Sequence, residues 1–110
     1  MKIDEMTIGD FKKIATLVGG GQSDNSAWEI GKNYLIRTVT MIDTGRLIAV
    51  TQQELILEDA AWIPDTGRFS DAVKNCAFVE VEPFPSGRVI LGRGSVIDAI
   101  CIDELPRKQK

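Results

Sequence analysis

The sequence predicts a mainly β domain, a small antiparallel barrel with an N-terminal α-helix and a short helix in an insertion over residues 64–77. Three observations carry this. From Gly31 to Ile63, three apolar runs rich in Ile, Val, Thr and Leu are separated by two polar breaks, Asp43-Thr44-Gly45 and Thr51-Gln52-Gln53. Runs that short, around a Gly-containing turn, read as an antiparallel meander. Two more apolar runs, Val89 to Leu91 and Val96 to Ile102, flank Gly92-Arg93-Gly94, and one amphipathic stretch precedes them all. A helix followed by five or six short antiparallel strands is a barrel pattern.

The 110 residues predict one domain over 1–110, with helix and cap at 1–21, barrel at 31–102 and tail at 103–110. Thr7-Ile8-Gly9-Asp10 has the form of a capping box. Ile8, Phe11, Ile14, Ala15 and Val18 follow at helical spacing, and Gly19-Gly20-Gly21 ends the helix. Residues 19–30 form a loop carrying Trp28, read as a core plug in preference to a stacking platform. A phosphate-cradling loop fails here: the G-x-x-x-x-G-K-[ST] pattern meets Ser26 at its first glycine and Asn33 after Gly31-Lys32.

In the first strand Leu35, Val39 and Met41 lie on one face, with Tyr34, Ile36 and Ile42 on the other. Apolar residues on both faces suit a curved sheet covered on two sides or used in an interface. Arg37 shares the Leu35 face, where an unpaired charge is expensive. Leu47, Ile48 and Val50 make the second strand, and Leu55 to Ile63 the third. Pro64-Asp65-Thr66-Gly67 signals a turn, and Phe69, Ala72, Val73 and Cys76 recur at i, i+3, i+4 and i+7, a short helix. Ala77 to Glu82 alternates as a strand, Pro83 to Gly87 is a rigid turn, and Val89–Leu91 and Val96–Ile102 are the last two strands. The basic tail, Pro106 to Lys110, is expected to fray.

Composition narrows the function classes. A net charge of -3 argues against a protein that coats duplex DNA. There is no His, which removes the usual general base and the commonest metal ligand. Cys76 and Cys101 lack metal-ligand spacing and read as free thiols. The acids Asp59, Asp65, Asp71, Glu80, Glu82 and Asp98 are scattered, and no Ser or Cys has a His to activate it. The expectation is no enzyme, no cofactor and no bound metal. No run reaches the length of a membrane span, and MKIDEMTIGDFKK has no signal-peptide core, so no membrane partner and a cytoplasmic location are expected.

Two resemblances add to this reading. Gly31, Lys32, Ile36, Gly45, Leu47, Val50, Leu55, Leu57 and Asp59 follow a spacing that resembles the first motif of Sm-like proteins, which have SH3-like barrels, and Leu91 to Ile100 resembles their second motif. The resemblance covers residues 31–102 and implies an Sm-like barrel. Where that family places an Asp and an Asn to hold a base, this chain has Thr51-Gln52-Gln53, so only the Arg93-Gly94 half of the RNA pocket carries over. Over nearly the whole chain, Leu57 to Ile63, Asp65 to Phe69, Glu80 to Phe84 and Leu105-Pro106-Arg107 resemble a group of small proteins of tailed phages and prophages. That resemblance implies a context, the host cytoplasm, in which small oligomeric proteins sequester the cyclic-nucleotide signals of bacterial immunity.

The candidate ligand-binding residues are Arg93, Gly94, Arg68, Trp62, Phe69 and Arg88. Trp62 and Phe69 can stack a base, and the three arginines can fork onto phosphate oxygens. Each also has a plainer role: Trp62 and Phe69 as core, Arg68 as a surface partner of Asp65 or Asp71, Arg88 and Arg93 on solvated turns. Arg93, between two glycines, is expected to project its guanidinium. The leading expectation is a non-catalytic homo-oligomer that binds a small anionic nucleotide, a phage sponge for immune signals. The alternatives are an Sm-like protein binding short single-stranded RNA and a phage protein that blocks a host protein by surface contact.

Overall fold

The computed structural model describes residues 26–110; the helix expected over Thr7 to Gly21 lies outside them. Strands β1 (Asn33–Thr38), β2 (Ile42–Val50) and β3 (Glu54–Asp65) come first, followed by helix α1 (Phe69–Asn75). Strands β4 (Glu80–Pro83), β5 (Val89–Gly92) and β6 (Val96–Cys101) complete the fold, with a 3-10 turn, Arg93–Ser95, between the last two. The strands form one antiparallel sheet in the order β4-β3-β2-β1-β6, and β5 also pairs with β3.

The long strand β3 serves two partners on one edge. Its first part, Glu54 to Leu57, pairs with β5, and its last part, Ala61 to Asp65, pairs with β4. Across the sheet, four inter-strand spacings of about 4.8 Å put β5 roughly 19 Å from β6 if the sheet is flat. The turn from Gly92 to Val96 reaches at most about 14 Å, so the sheet must curl. It does not close. Among the described residues no ladder joins β5 to β6, and the expected barrel is instead an open, curled sheet. The turn commits its hydrogen bonds elsewhere: the Arg93 amide donates to the Gln53 carbonyl at 2.9 Å, and the Ser95 carbonyl accepts from the Val39 amide at 2.9 Å.

The first hairpin also differs from the expectation. Asp43-Thr44-Gly45 is not a turn but part of β2. The chain reverses at Thr38 to Met41, where the Thr38 hydroxyl bonds both the amide and the carbonyl of Met41 at 3.0 Å. A side-chain hydroxyl closes this turn with neither Gly nor Pro. Gly45 has a packing role: a Cβ there would lie 3.0 Å from Leu57 Cβ. Opposite it the β2–β3 ladder shifts register, and Asp59 takes a left-handed φ of 53° at the bulge.

Apolar residues on both faces of β1 are explained by two cores. Inside the curl, Tyr34, Ile36, Leu47, Val50, Leu55, Leu57 and Ala60 are buried, joined by residues from β5 and β6 at opposite ends of the sheet. Trp28 plugs this core, its ring edge-on to Tyr34 at 5.1 Å. On the outer face Leu35, Ala61 and Ile63 are covered by Ala72 of α1, Phe78, Val81 and Ile102. Helix α1 forms where the pattern predicts but ends at Asn75, with Cys76, the last residue of the stripe, capping it in the left-handed conformation.

The tail is docked, contrary to the expectation of fraying. Lys110 exchanges backbone hydrogen bonds with Val81, covering the outer edge of β4. Its Nζ donates to the Phe78 carbonyl at 2.7 Å, and Arg107 Nη1 donates to the Ala60 carbonyl at 2.6 Å. Backbone carbonyls recruit the basic side chains, which composition alone marked as solvated; the Ala60 carbonyl accepts from the Phe84 amide as well. No helix among the described residues is long and apolar enough to cross a membrane.

Candidate ligand-binding groove

Register places one row of side chains across the inner face: Glu82 opposite Trp62, Trp62 opposite Asp43, Asp43 opposite Ile36, and Ile36 opposite Ala99. Residues directly opposite in a ladder point to the same face. Ile36 is fully buried at the centre of this row, whereas the end carrying Asp43, Trp62 and Glu82 opens into a groove of about 570 Å³. Met41 stands at one side of it, Phe84 and Pro85 at another, and Val89, Ile90 and Leu91 of β5 form the facing wall. Trp62 is 39% exposed, and with Met41 it forms the ridge to a second groove of about 490 Å³ that runs past Arg37 and Ile97.

Asp43 is the unusual member. It is 6% exposed, and no hydrogen bond or ion pair reaches its carboxyl among the described residues. Burial among apolar neighbours pushes its pKa up from 3.8 to about 6, because the charged form loses its hydration. Glu82 flanks Trp62 on the other side, and no Lys or Arg lines the groove. The arrangement offers an aromatic face, apolar walls and hydrogen-bond acceptors at the floor and rim.

The candidates named from sequence separate in space. Trp62 lies in the groove. Arg93 does not project: its Nη1 donates to the Thr51 carbonyl at 2.6 Å, so the Arg93-Gly94 turn lies against the Thr51-Gln52-Gln53 loop. Phe69 opens α1 and carries the Arg37 guanidinium 5.0 Å above its ring. Arg37 in turn forms a bidentate pair with Asp98, its cross-strand neighbour, and so escapes the cost of standing alone. That pair holds the Arg37 pKa up and the Asp98 pKa down, with the hydrogen bond as the main cause. Arg68 is exposed at the start of α1, and Arg88 is exposed beside Val89 of the groove wall. None of the three arginines lines either groove that Trp62 borders.

Sequence reasoning missed Asp43 because an Asp-Thr-Gly triplet is a turn signal, and it passed over Glu82 as a scattered acid. The available signal was the Thr38-Val39-Thr40 stretch, where a hydroxyl-closed turn shifts Asp43 into the next strand. Among the described residues no three His, Cys, Asp or Glu side chains gather as metal ligands. No family model matches the chain, and no curated protein or solved structure matches it.

Proposed function

We propose that this chain is a non-catalytic binding protein for a nucleotide-type ligand and works as a homo-oligomer. The observation that carries the reading is the half-exposed Trp62 indole lining an apolar groove of about 570 Å³, a size within the range of small-molecule sites. Met41, Phe84 and Ile90 are exposed around the indole. An aromatic face with apolar flanks suits stacking of a planar base. Holding a nucleotide unchanged is sequestration, and cyclic-nucleotide immune signals are the class we assign to it.

The oligomer is supported by the sheet edges. Neither β5 nor β6 has a second strand neighbour among the described residues, and Ile90, Ile97 and Ile100 are exposed on them. Open edges with apolar side chains favour pairing with another copy. A second reading, single-stranded RNA binding of Sm type, is favoured by one observation, the contact of the Arg93-Gly94 turn with the Thr51–Gln53 loop.

Native mass spectrometry of the full chain with a panel of mononucleotides, cyclic nucleotides and short RNA tests these readings. The expected result is an oligomer carrying intact nucleotide, with binding lost in Trp62→Ala. Turnover of the nucleotide, or Trp62→Ala binding as well as the parent, overturns the proposal. Binding to RNA alone, with steep salt dependence, selects the second reading.

A further inference from the structure

We propose that the groove selects its base by the hydrogen-bond donors on the base edge, taking a guanine-type ring onto the Asp43 carboxylate while Trp62 stacks on the ring face. The inference rests on the nucleotide reading above and deepens it. Asp43 is buried, without a partner among the described residues, and lines the groove next to the indole. Its oxygens keep a narrow contact with solvent through the groove, so a half-desolvated carboxylate gains from a donor that enters there. Guanine presents a ring N–H beside an amino group, two parallel donors that match the two oxygens of a carboxylate. Adenine presents an amino donor beside a ring nitrogen acceptor, whose lone pair meets the second oxygen and repels it.

Phosphate is not read inside the groove, since no Lys or Arg lines it and Glu82 stands at its rim. The ligand is therefore held by its base, and the phosphate adds little. A guanidinium from a basic peptide also offers parallel donors. It brings a charge that the apolar walls of Phe84, Pro85, Val89 and Leu91 cannot hydrate, and it buries less surface than a bicyclic ring.

Proton uptake by Asp43 reverses the pattern. A protonated carboxyl presents one donor and one acceptor, the complement of adenine's edge. Glu82 on β4 is the other titratable group lining the groove among the described residues. The elements beside Asp43 face it with Ile36 on β1, Trp62 on β3 and Val89, Ile90 and Leu91 on β5, none of which titrates there.

The test is titration calorimetry on the full chain with guanosine, guanosine monophosphate, adenosine and an arginine-containing peptide, at pH 7.5 and pH 5. At pH 7.5 guanosine should bind roughly tenfold or more tighter than adenosine, as a bidentate base contact provides, and the monophosphate should bind like guanosine. At pH 5 the preference should shrink or invert. Asp43→Asn, with its fold checked by circular dichroism, should show the inverted preference at both pH values. Equal binding of the two nucleosides overturns this inference and leaves the nucleotide reading standing. Tighter binding of the peptide overturns it as well. If no base-containing probe binds, this inference is overturned, and the nucleotide reading is decided by the cyclic-nucleotide panel above.

Discussion

Arg93 donates through Nη1 to the Thr51 carbonyl oxygen at 2.6 Å, tying the turn between β5 and β6 to the loop between β2 and β3. The two segments are 42 residues apart in sequence. A charge-assisted bond to a half-buried acceptor stabilises the fold by about 1–2 kcal/mol. Arg93→Ala should lower unfolding free energy by that amount in urea titration, while the Arg93 amide keeps its bond to Gln53. An unchanged midpoint would mean that the contact contributes nothing in solution.

Gly45→Ala should cost about 1–3 kcal/mol, since its Cβ would press on Leu57 Cβ and Cδ1 at 3.0 Å within a filled core. Gly94→Ala is the control. A Cβ there meets nothing within 4 Å, and the change should stay within about 0.5 kcal/mol. Equal effects of the two substitutions would show that Gly45 is not fixed by packing.

Asp43 makes stability depend on pH in a defined direction. Its folded pKa, about 6, lies above the unfolded value near 3.8, so the folded chain binds more protons between these limits. Stability should therefore fall as pH rises from about 4 to about 6 and level off above that. The full loss is on the order of 2–3 kcal/mol. Asp43→Asn should remove this slope and melt higher than the parent at pH 7.5; a slope that survives the substitution assigns it to another group.

Removing Arg107 to Lys110 should uncover the outer edge of β4. The amide of Val81 loses its acceptor, the Lys110 carbonyl at 3.2 Å, and should exchange with solvent at least tenfold faster. Retained protection at Val81 would show that the tail does not hold this edge.

How far the sequence revealed this architecture depended on whether its signals were local. Phe69, Ala72, Val73 and Cys76 located α1 because helical spacing repeats within a few residues. The Val89 and Val96 runs located β5 and β6 for the same reason. Asp43-Thr44-Gly45 misled because turn chemistry and close packing both select glycine, and only the position of Leu57 in space tells them apart. The groove was half legible: Trp62 was named, but its neighbours Asp43, Phe84 and Ile90 come from separate strands and loops that only the register brings together. The docked tail was invisible for a related reason, since its partners are backbone carbonyls, which every residue carries.

The open sheet has a kinetic corollary. Strands β1, β2 and β3 are neighbours in sequence and can form their hairpins early, with short loops to close. The β1–β6 ladder joins residues such as Arg37 and Asp98, 61 positions apart, and no β5–β6 ladder is there to guide it. Such closure loses much chain entropy before it gains contacts. The rate-limiting ensemble should therefore hold a formed β2–β3 hairpin and a detached β6. Leu57→Ala should mainly slow folding, with Ala99→Gly in β6 mainly speeding unfolding, measured by stopped-flow chevrons. A slowed folding limb for Ala99→Gly would place β6 in the nucleus instead. The last strand to arrive is then the first to leave, and the exposed edges of β1 and β5 are the surfaces through which partly open molecules would exchange strands.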